Sequence, residues 1–158
     1  MQFSPRSLKS TPLKLLMYAG FAVLGAYATI SASAQVDLLD TSAREPGAVV
    51  TPSGLVYRQL RAGSGASPTA ADTVKVHYRG TLADGSEFDS SYKRNSPAQF
   101  PLGGVIPCWT EGVQRMKVGG KAKLTCPSKI AYGERGAGPI GPNTALRFEV
   151  ELLDIAKR

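Results

Sequence analysis

Leu146-Arg147-Phe148-Glu149-Val150-Glu151-Leu152-Leu153 alternates in hydropathy along its whole length. Leu146, Phe148, Val150 and Leu152 share one face; Arg147, Glu149, Glu151 and Leu153 take the other. A period of two with charges on one side describes a strand packed on one face and wet on the other. Two further stretches repeat the pattern. Thr73 to Arg79 sets Val74, Val76 and Tyr78 against Lys75, His77 and Arg79, and Lys121 to Cys126 sets Ala122, Leu124 and Cys126 against Lys121, Lys123 and Thr125. Leu55 to Leu60 is an apolar-rich strand candidate closed by Ala62-Gly63-Ser64-Gly65. Asp84-Gly85 marks a tight turn before a segment around Glu87-Phe88. Only one stretch has helical spacing: Pro107 suits a helix entry, Trp109, Val113 and Met116 follow at i, i+4 and i+7, and Gly119-Gly120 stops it. One short helix among about five half-buried strands defines an α+β domain, with the helix packed on an antiparallel sheet.

Outward from these strands the chain changes character. Arg6, Lys9 and Lys14 are the only charges in the first 34 residues, an apolar run extends from Leu15 to Ile30, and Ala32-Ser33-Ala34 offers a small-x-small cleavage site before Gln35. That order predicts a secretory signal peptide over residues 1–34. With its glycines and alanines, the run is less apolar than a comfortable membrane span requires, so no stable membrane anchor is expected after cleavage. Residues 35–50, with mixed charge, Pro46 and Gly47, predict a linker or N-terminal arm. Residues 51–158 then form one domain with a modest core. The chain has 19 Lys and Arg against 12 acids, net +7. Three of the cations belong to the leader, leaving +4, and the others are dispersed. Such spacing points to a solvated surface and away from nucleic acid.

The usual catalytic constellations are missing. The single histidine, His77, falls on the polar face of a strand and reads as a surface residue. One histidine and two separated cysteines make no metal set with ligand spacing, and the glycines lie in turns with no phosphate-cradling loop after a strand. No cofactor is expected. Cys108 and Cys126 form an even pair in an exported chain, which suits a disulfide; two buried free thiols are the other reading. What stands out is aromatics beside loops: Tyr78, Phe88, Trp109, Tyr132 and Phe148.

Six fragments of the sequence, in order, resemble the FKBP-type (immunophilin) peptidyl-prolyl cis-trans isomerases. They are Val76-His77-Tyr78-Arg79-Gly80, Asp84-Gly85-Ser86-Glu87-Phe88-Asp89-Ser90-Ser91, Val105-Ile106-Pro107-Cys108-Trp109-Thr110-Glu111-Gly112, Met116-Lys117-Val118-Gly119, Ala131-Tyr132-Gly133 and Phe148-Glu149-Val150-Glu151-Leu152-Leu153. The resemblance covers about Gly54 to Ile155 and implies a half-barrel-like antiparallel sheet wrapped over one short helix, with an apolar pocket between them. It implies Trp109 as pocket floor and Tyr78, Phe88, Val105, Ile106 and Phe148 as walls. Asp89, Tyr132 and Arg94 would be the polar contributors, with Ile140 in the flanking loop. The Ile106 N–H and the Tyr132 hydroxyl would donate to substrate carbonyls. The chain departs from the family pattern at Ala98, where many members carry a second wall aromatic, so the rim should be more open there. Cys108 stands where glycine is common, Cys126 replaces an aliphatic residue, and the loop from Glu134 to Pro142 is slightly shortened.

The implied activity is rotation about X-Pro bonds, with Asp89, Tyr132, Trp109 and Phe88 as catalytic residues. The expected partners are proline-containing unfolded or partly folded polypeptides, and the family's macrolide inhibitors are expected ligands. The protein is expected to be a monomer, periplasmic or secreted. A non-catalytic or chaperone-like binding module using the same pocket is the alternative. Asp89 itself has two readings, a turn aspartate capping Ser90 or Ser91, or a buried acceptor that orders Tyr78 or Arg94.

Overall fold

The computed structural model describes residues 32–156. Its elements, in chain order, are α1 (Ala32–Ala43), β1 (Ala48–Val50), β2 (Val56–Arg61), β3 (Thr73–Thr81), β4 (Glu87–Ser90), β5 (Ala98–Pro101), α2 (Pro107–Val113), β6 (Lys121–Cys126) and β7 (Leu146–Ala156), with short 3-10 turns at Leu102–Gly104 and Ser128–Ile130. All strand pairs are antiparallel, in the order β1-β2-β6-β7-β3-β4, and β5 also pairs with β3. The α+β class is the one the alternating strands define. The sheet has seven strands where about five were expected, because β1 and β5 are three and four residues long and too short to show a period.

The alternating faces lie as the sequence divides them. Val74, Val76, Tyr78, Ala122, Leu124, Cys126, Phe148 and Val150 are buried in one core with Trp109, Val113 and Met116. Helix α2 begins with Pro107, whose fixed φ suits the first helical position. It ends at Val113, one turn short of its apolar spacing. The Arg115 and Met116 amides bond to the carbonyls three residues back, a tightening common at helix ends, and Met116 stays in the core. Gly112 sets the helix–sheet distance: a Cβ there would lie 2.7 Å from Leu124 Cδ2.

Strand β3 organises the site. Its first half pairs with β5 (Val74 opposite Phe100, Val76 opposite Ala98) and its second half with β4 (Arg79 opposite Ser90, Gly80 opposite Asp89). The chain between β4 and β5, residues 91–97, therefore loops out and returns along the same strand. Arg94 rides on this loop, followed by Asn95 in the left-handed region at φ 48°.

Residues 35–50, expected to form a linker, are instead most of α1 and the edge strand β1. Helix α1 packs on the face of the sheet opposite α2: Val56 and Thr125, which pair across β2 and β6 on that face, are 4% and 0% exposed. Ser42 Oγ meets Thr125 Oγ at 3.0 Å and accepts from Arg147 Nη2 at 3.0 Å. Gln35 Oε1 accepts the Ala145 N–H at 2.8 Å. Only Leu38 and Ser42 of this helix are buried, one of them polar, so no apolar period marks it in the sequence. Residues 1–31 of the expected signal peptide lie outside the described residues, and its last three open α1.

Glu45 anchors the end of the arm, accepting from Arg58 Nη1 at 2.6 Å and Lys123 Nζ at 3.0 Å. Burial pushes its carboxyl up, but the Lys123 and Arg58 cations outweigh that and hold it below its usual 4.5. A carboxyl depressed in the folded state adds stability above the unfolded value and loses it as pH falls through the folded one. Glu45→Gln should therefore lower stability by about 1 kcal/mol at pH 7, the scale of partly exposed ion pairs, with the difference shrinking as the pH is lowered toward 3. Urea unfolding of both proteins at the two pH values checks this.

Candidate functional site

Trp109 sits in the first turn of α2 and is 1% exposed. Three aromatic rings meet it edge to face: Tyr78 from β3 at 5.3 Å, Phe148 from β7 at 5.4 Å and Phe100 from β5 at 5.7 Å between centroids. Phe88 continues the set against Phe148 at 5.6 Å. Positive ring edges on negative faces add about 0.5–1.5 kcal/mol per pair beyond the area buried. Gly80, between Phe88 and Phe148, leaves room for both rings, since a Cβ there would stand 2.5 Å from Phe88 Cζ. The indole N–H of Trp109 is buried without a partner among the described residues.

At the margin of this aromatic group lies a closed polar triangle. The Tyr78 hydroxyl donates to Asp89 Oδ2 at 2.5 Å, Arg94 Nη1 donates to Asp89 Oδ1 at 2.5 Å, and Arg94 Nη2 donates to the Tyr78 oxygen at 2.9 Å. The guanidinium also lies 5.7 Å from the Tyr78 ring centroid, in range of a cation–π contact. Asp89 is 8% exposed, and both its oxygens are engaged by charged or phenolic donors, so the arrangement matches the buried-acceptor reading and not the turn cap. The Tyr78 phenol is pushed far up by burial, then by Asp89, with Arg94 opposing. Burial lowers the Arg94 value, but Asp89 and Tyr78 hold it above the ordinary one. Tyr132 is pushed up mainly by burial, and secondarily by Tyr78 and Asp89 close by. Both phenols therefore keep their protons across the physiological range and serve as O–H groups.

The remaining predicted residues converge on the same region. Val105, Ile106 and Ile140 are buried in the core with Trp109 and Phe148, and Phe88 and Tyr132 pack against it partly exposed. Ile140 is held by the paired Ala137–Ile140 backbone bonds of its loop. Ile106 caps α2, its carbonyl accepting from the Trp109 and Thr110 amides. Among the described residues no hydrogen bond uses the Ile106 N–H, which leaves a donor beside the aromatic group. Phe100 is the residue the sequence reading missed. Ala98 does stand where a wall aromatic was sought, but Phe100, two residues on and on the same face of β5, packs against both Tyr78 and Trp109. The period of two was the available signal, hidden by the prolines on either side.

Cys108, next to Trp109, is bridged to Cys126 at the end of β6, with Cα atoms 5.9 Å apart. Both are fully buried. The bridge ties the first turn of α2 to the sheet on which Leu124 and Phe148 lie.

The sequence profile of the FKBP-type peptidyl-prolyl cis-trans isomerases matches residues 65–153. The chain belongs to that family. It is similar to the FKBP-type peptidyl-prolyl cis-trans isomerase FkpA of Aeromonas hydrophila, 56% identical over 121 residues, covering 77% of this chain and 45% of the relative. It is also similar to the peptidyl-prolyl cis-trans isomerase Mip of Coxiella burnetii, 48% identical over 121 residues, covering 76% of this chain and 53% of the relative. The chain thus spans about half the length of these curated relatives. Among solved structures, FkpA from Escherichia coli superposes with TM-score 0.77 at 47% identity, over 79% of this chain and 59% of that one. A Pseudomonas syringae peptidyl-prolyl cis-trans isomerase superposes with TM-score 0.73 at 37% identity, over 79% of this chain and 92% of that one.

Closing a loop with a sequence separation of 18 stabilises by about 3 kcal/mol on the chain-entropy estimate. The double substitution Cys108→Ala/Cys126→Ala should lower unfolding free energy by about that amount in denaturant titrations. Added reductant should bring the unsubstituted protein to the same value and leave the variant unchanged.

Proposed function

We propose that this chain accelerates cis-trans rotation about X-Pro bonds of proline-containing, unfolded or partly folded polypeptides, without covalent chemistry. The observation that carries the reading is the Tyr78–Asp89–Arg94 triangle closed against the aromatic group on Trp109, in a chain whose relatives are named for this activity.

Amide resonance sets a rotation barrier of about 18–20 kcal/mol. Nothing in the reaction breaks a bond, so no nucleophile is needed. The planar amide is more polar than the twisted one, and water solvates it better. A prolyl ring seated among Phe88, Trp109, Val105 and Ile106 leaves that water behind, which favours the twisted form. Fixed donors add orientation: the Ile106 N–H and the Tyr132 hydroxyl are the groups assigned to the carbonyls flanking the proline. Asp89 transfers no proton in this account. It holds the Tyr78 ring and Arg94 at the edge of the pocket, while Ile140 and Phe148 close its sides.

The N-terminal leader, the bridged cysteines and relatives that include an outer membrane protein MIP of Legionella longbeachae support export, with cleavage after Ala34 and a periplasmic or secreted mature protein. The family's macrolides are proposed as competitive ligands, and the protein as a monomer.

A protease-coupled assay with a proline-containing peptide tests the reading. The purified protein should accelerate isomerisation, and a macrolide should suppress the acceleration. Asp89→Ala and Phe88→Ala should each lower kcat/KM by about tenfold or more, equivalent to about 1.4 kcal/mol of transition-state stabilisation, while circular dichroism shows the fold retained. No acceleration by the unsubstituted protein, with peptide binding intact, would favour the binding-module reading. Unchanged rates in both variants would remove the site assignment.

A further inference from the structure

A second cavity, of about 60 Å³, lies beside the turn that follows α2, built from residues that the prolyl site does not use. Tyr57 and Arg61 reach it from β2, Arg115 and Lys117 from the turn itself, and Lys121 from the start of β6, with Gln59 on its wall. Met116, Gly63 and Gly120 complete the lining, the glycines bringing backbone close. Among the described residues no aspartate or glutamate lines the cavity. Four cations line this one small space, a grouping visible only once β2, β6 and the turn are assembled.

The neighbouring acids neutralise only part of that charge. Arg61 is committed, pairing with Glu151 at 2.6 Å and donating through Nε to the Gly119 carbonyl at 3.0 Å. Arg115 and Lys121 reach Glu111 and Glu149 only at 3.8 Å, beyond hydrogen-bond distance. Lys117 has no ion-pair partner among the described residues. The decisive group is Tyr57. It is 8% exposed, and its hydroxyl makes no hydrogen bond to another protein group among the described residues. Burial pushes the phenol up while the Arg115 charge opposes, so it stays an O–H donor. The phenol therefore offers a hydrogen-bond donor to a space lined by cations.

A cation would meet four like charges in this place, and an apolar group would leave those charges and the phenol unsatisfied. The volume is about twice the ~30 Å³ share of one liquid water, enough for a single oxyanion group. We propose that this cavity is an anion-binding site for one phosphate or carboxylate group, with the Tyr57 hydroxyl and the Arg115 guanidinium as inner donors and Lys117 and Lys121 supplying charge at the mouth. The group would come either as free phosphate or as a carboxylate carried on a polypeptide. The site is separate from the prolyl pocket and does not depend on the activity proposed for it.

The test is a nuclear magnetic resonance titration of the purified ¹⁵N-labelled protein at pH 7 with inorganic phosphate, in parallel with acetate and an acidic peptide, ionic strength being held constant with sodium chloride. Saturable shifts are expected at the Gly63, Gly120 and Lys121 amides. Arg115→Gln/Lys117→Gln should weaken binding by about tenfold or more, since hydrogen bonds to charged groups are the stronger ones, and Tyr57→Phe should weaken it to a smaller extent. Prolyl isomerisation by the double variant should be unchanged. Tighter binding of phosphate assigns the free ion as the source; tighter binding of acetate and the acidic peptide assigns the polypeptide carboxylate. Shifts that never saturate, that chloride alone reproduces, or that persist in the double variant overturn the proposal.

Discussion

A carboxylate withdrawn from water must be surrounded by donors, and Asp89 is surrounded by two that come from different parts of the chain. Tyr78 reaches it from the strand next door, and Arg94 from a loop that leaves β4 and returns as β5. The geometry follows from a single strand having two partners on one edge. Because β3 pairs first with β5 and then with β4, the loop between them is forced outward and back, and its arginine arrives over the Tyr78 ring. Removing any one of the three groups would leave the others short of partners in a half-buried place. The pocket edge is thus held by sheet topology as much as by the side chains themselves.

Beneath that edge the constraint is packing. Trp109 is fixed by rings from β3, β5 and β7, by the bridge that anchors the residue before it, and by the close approach that Gly112 permits between α2 and Leu124. A side chain held from so many sides keeps one shape, which in the proposed function would receive a prolyl ring at little cost in ordering. Part of the outer face, over β2 and β6, is covered in turn by α1, whose contacts with Arg147 and Ala145 reach the segment that leads from the Ile140 loop into β7.

The long strands were legible because one face of each packs on the core: β3, β6 and β7 show a clean period of two, and their core residues are those that the alternation puts on one side, although Thr125, on the other face of β6, is buried beneath α1. The short elements were not. β5 leaves only three residues between Pro97 and Pro101, too few for a period that would mark Phe100. Helix α1 buries one leucine and one serine, and its docking rests on hydrogen bonds and an ion-paired Glu45 that no apolar pattern reveals. Helix α2 carries apolar spacing through Met116 but stops at Val113, because a tightened turn serves the core as well as another helical one. The cationic cavity was invisible in the sequence for a related reason: its members are separated by up to 64 positions, from Tyr57 to Lys121, and read singly as solvated surface. The aromatic site was legible mainly through resemblance, since each aromatic taken alone reads as core.

In the proposed mechanism rotation is promoted by shape, desolvation and fixed donors, with no proton in transfer. The most direct measurement is the pH dependence of kcat/KM in the protease-coupled assay, corrected for the coupling protease, together with the solvent deuterium isotope effect. With Tyr78 and Tyr132 held protonated, the profile should be flat from about pH 6 to 9 and the isotope effect about 1. A bell-shaped profile, or an isotope effect of about 2 or more, would signal general acid–base catalysis and contradict the account.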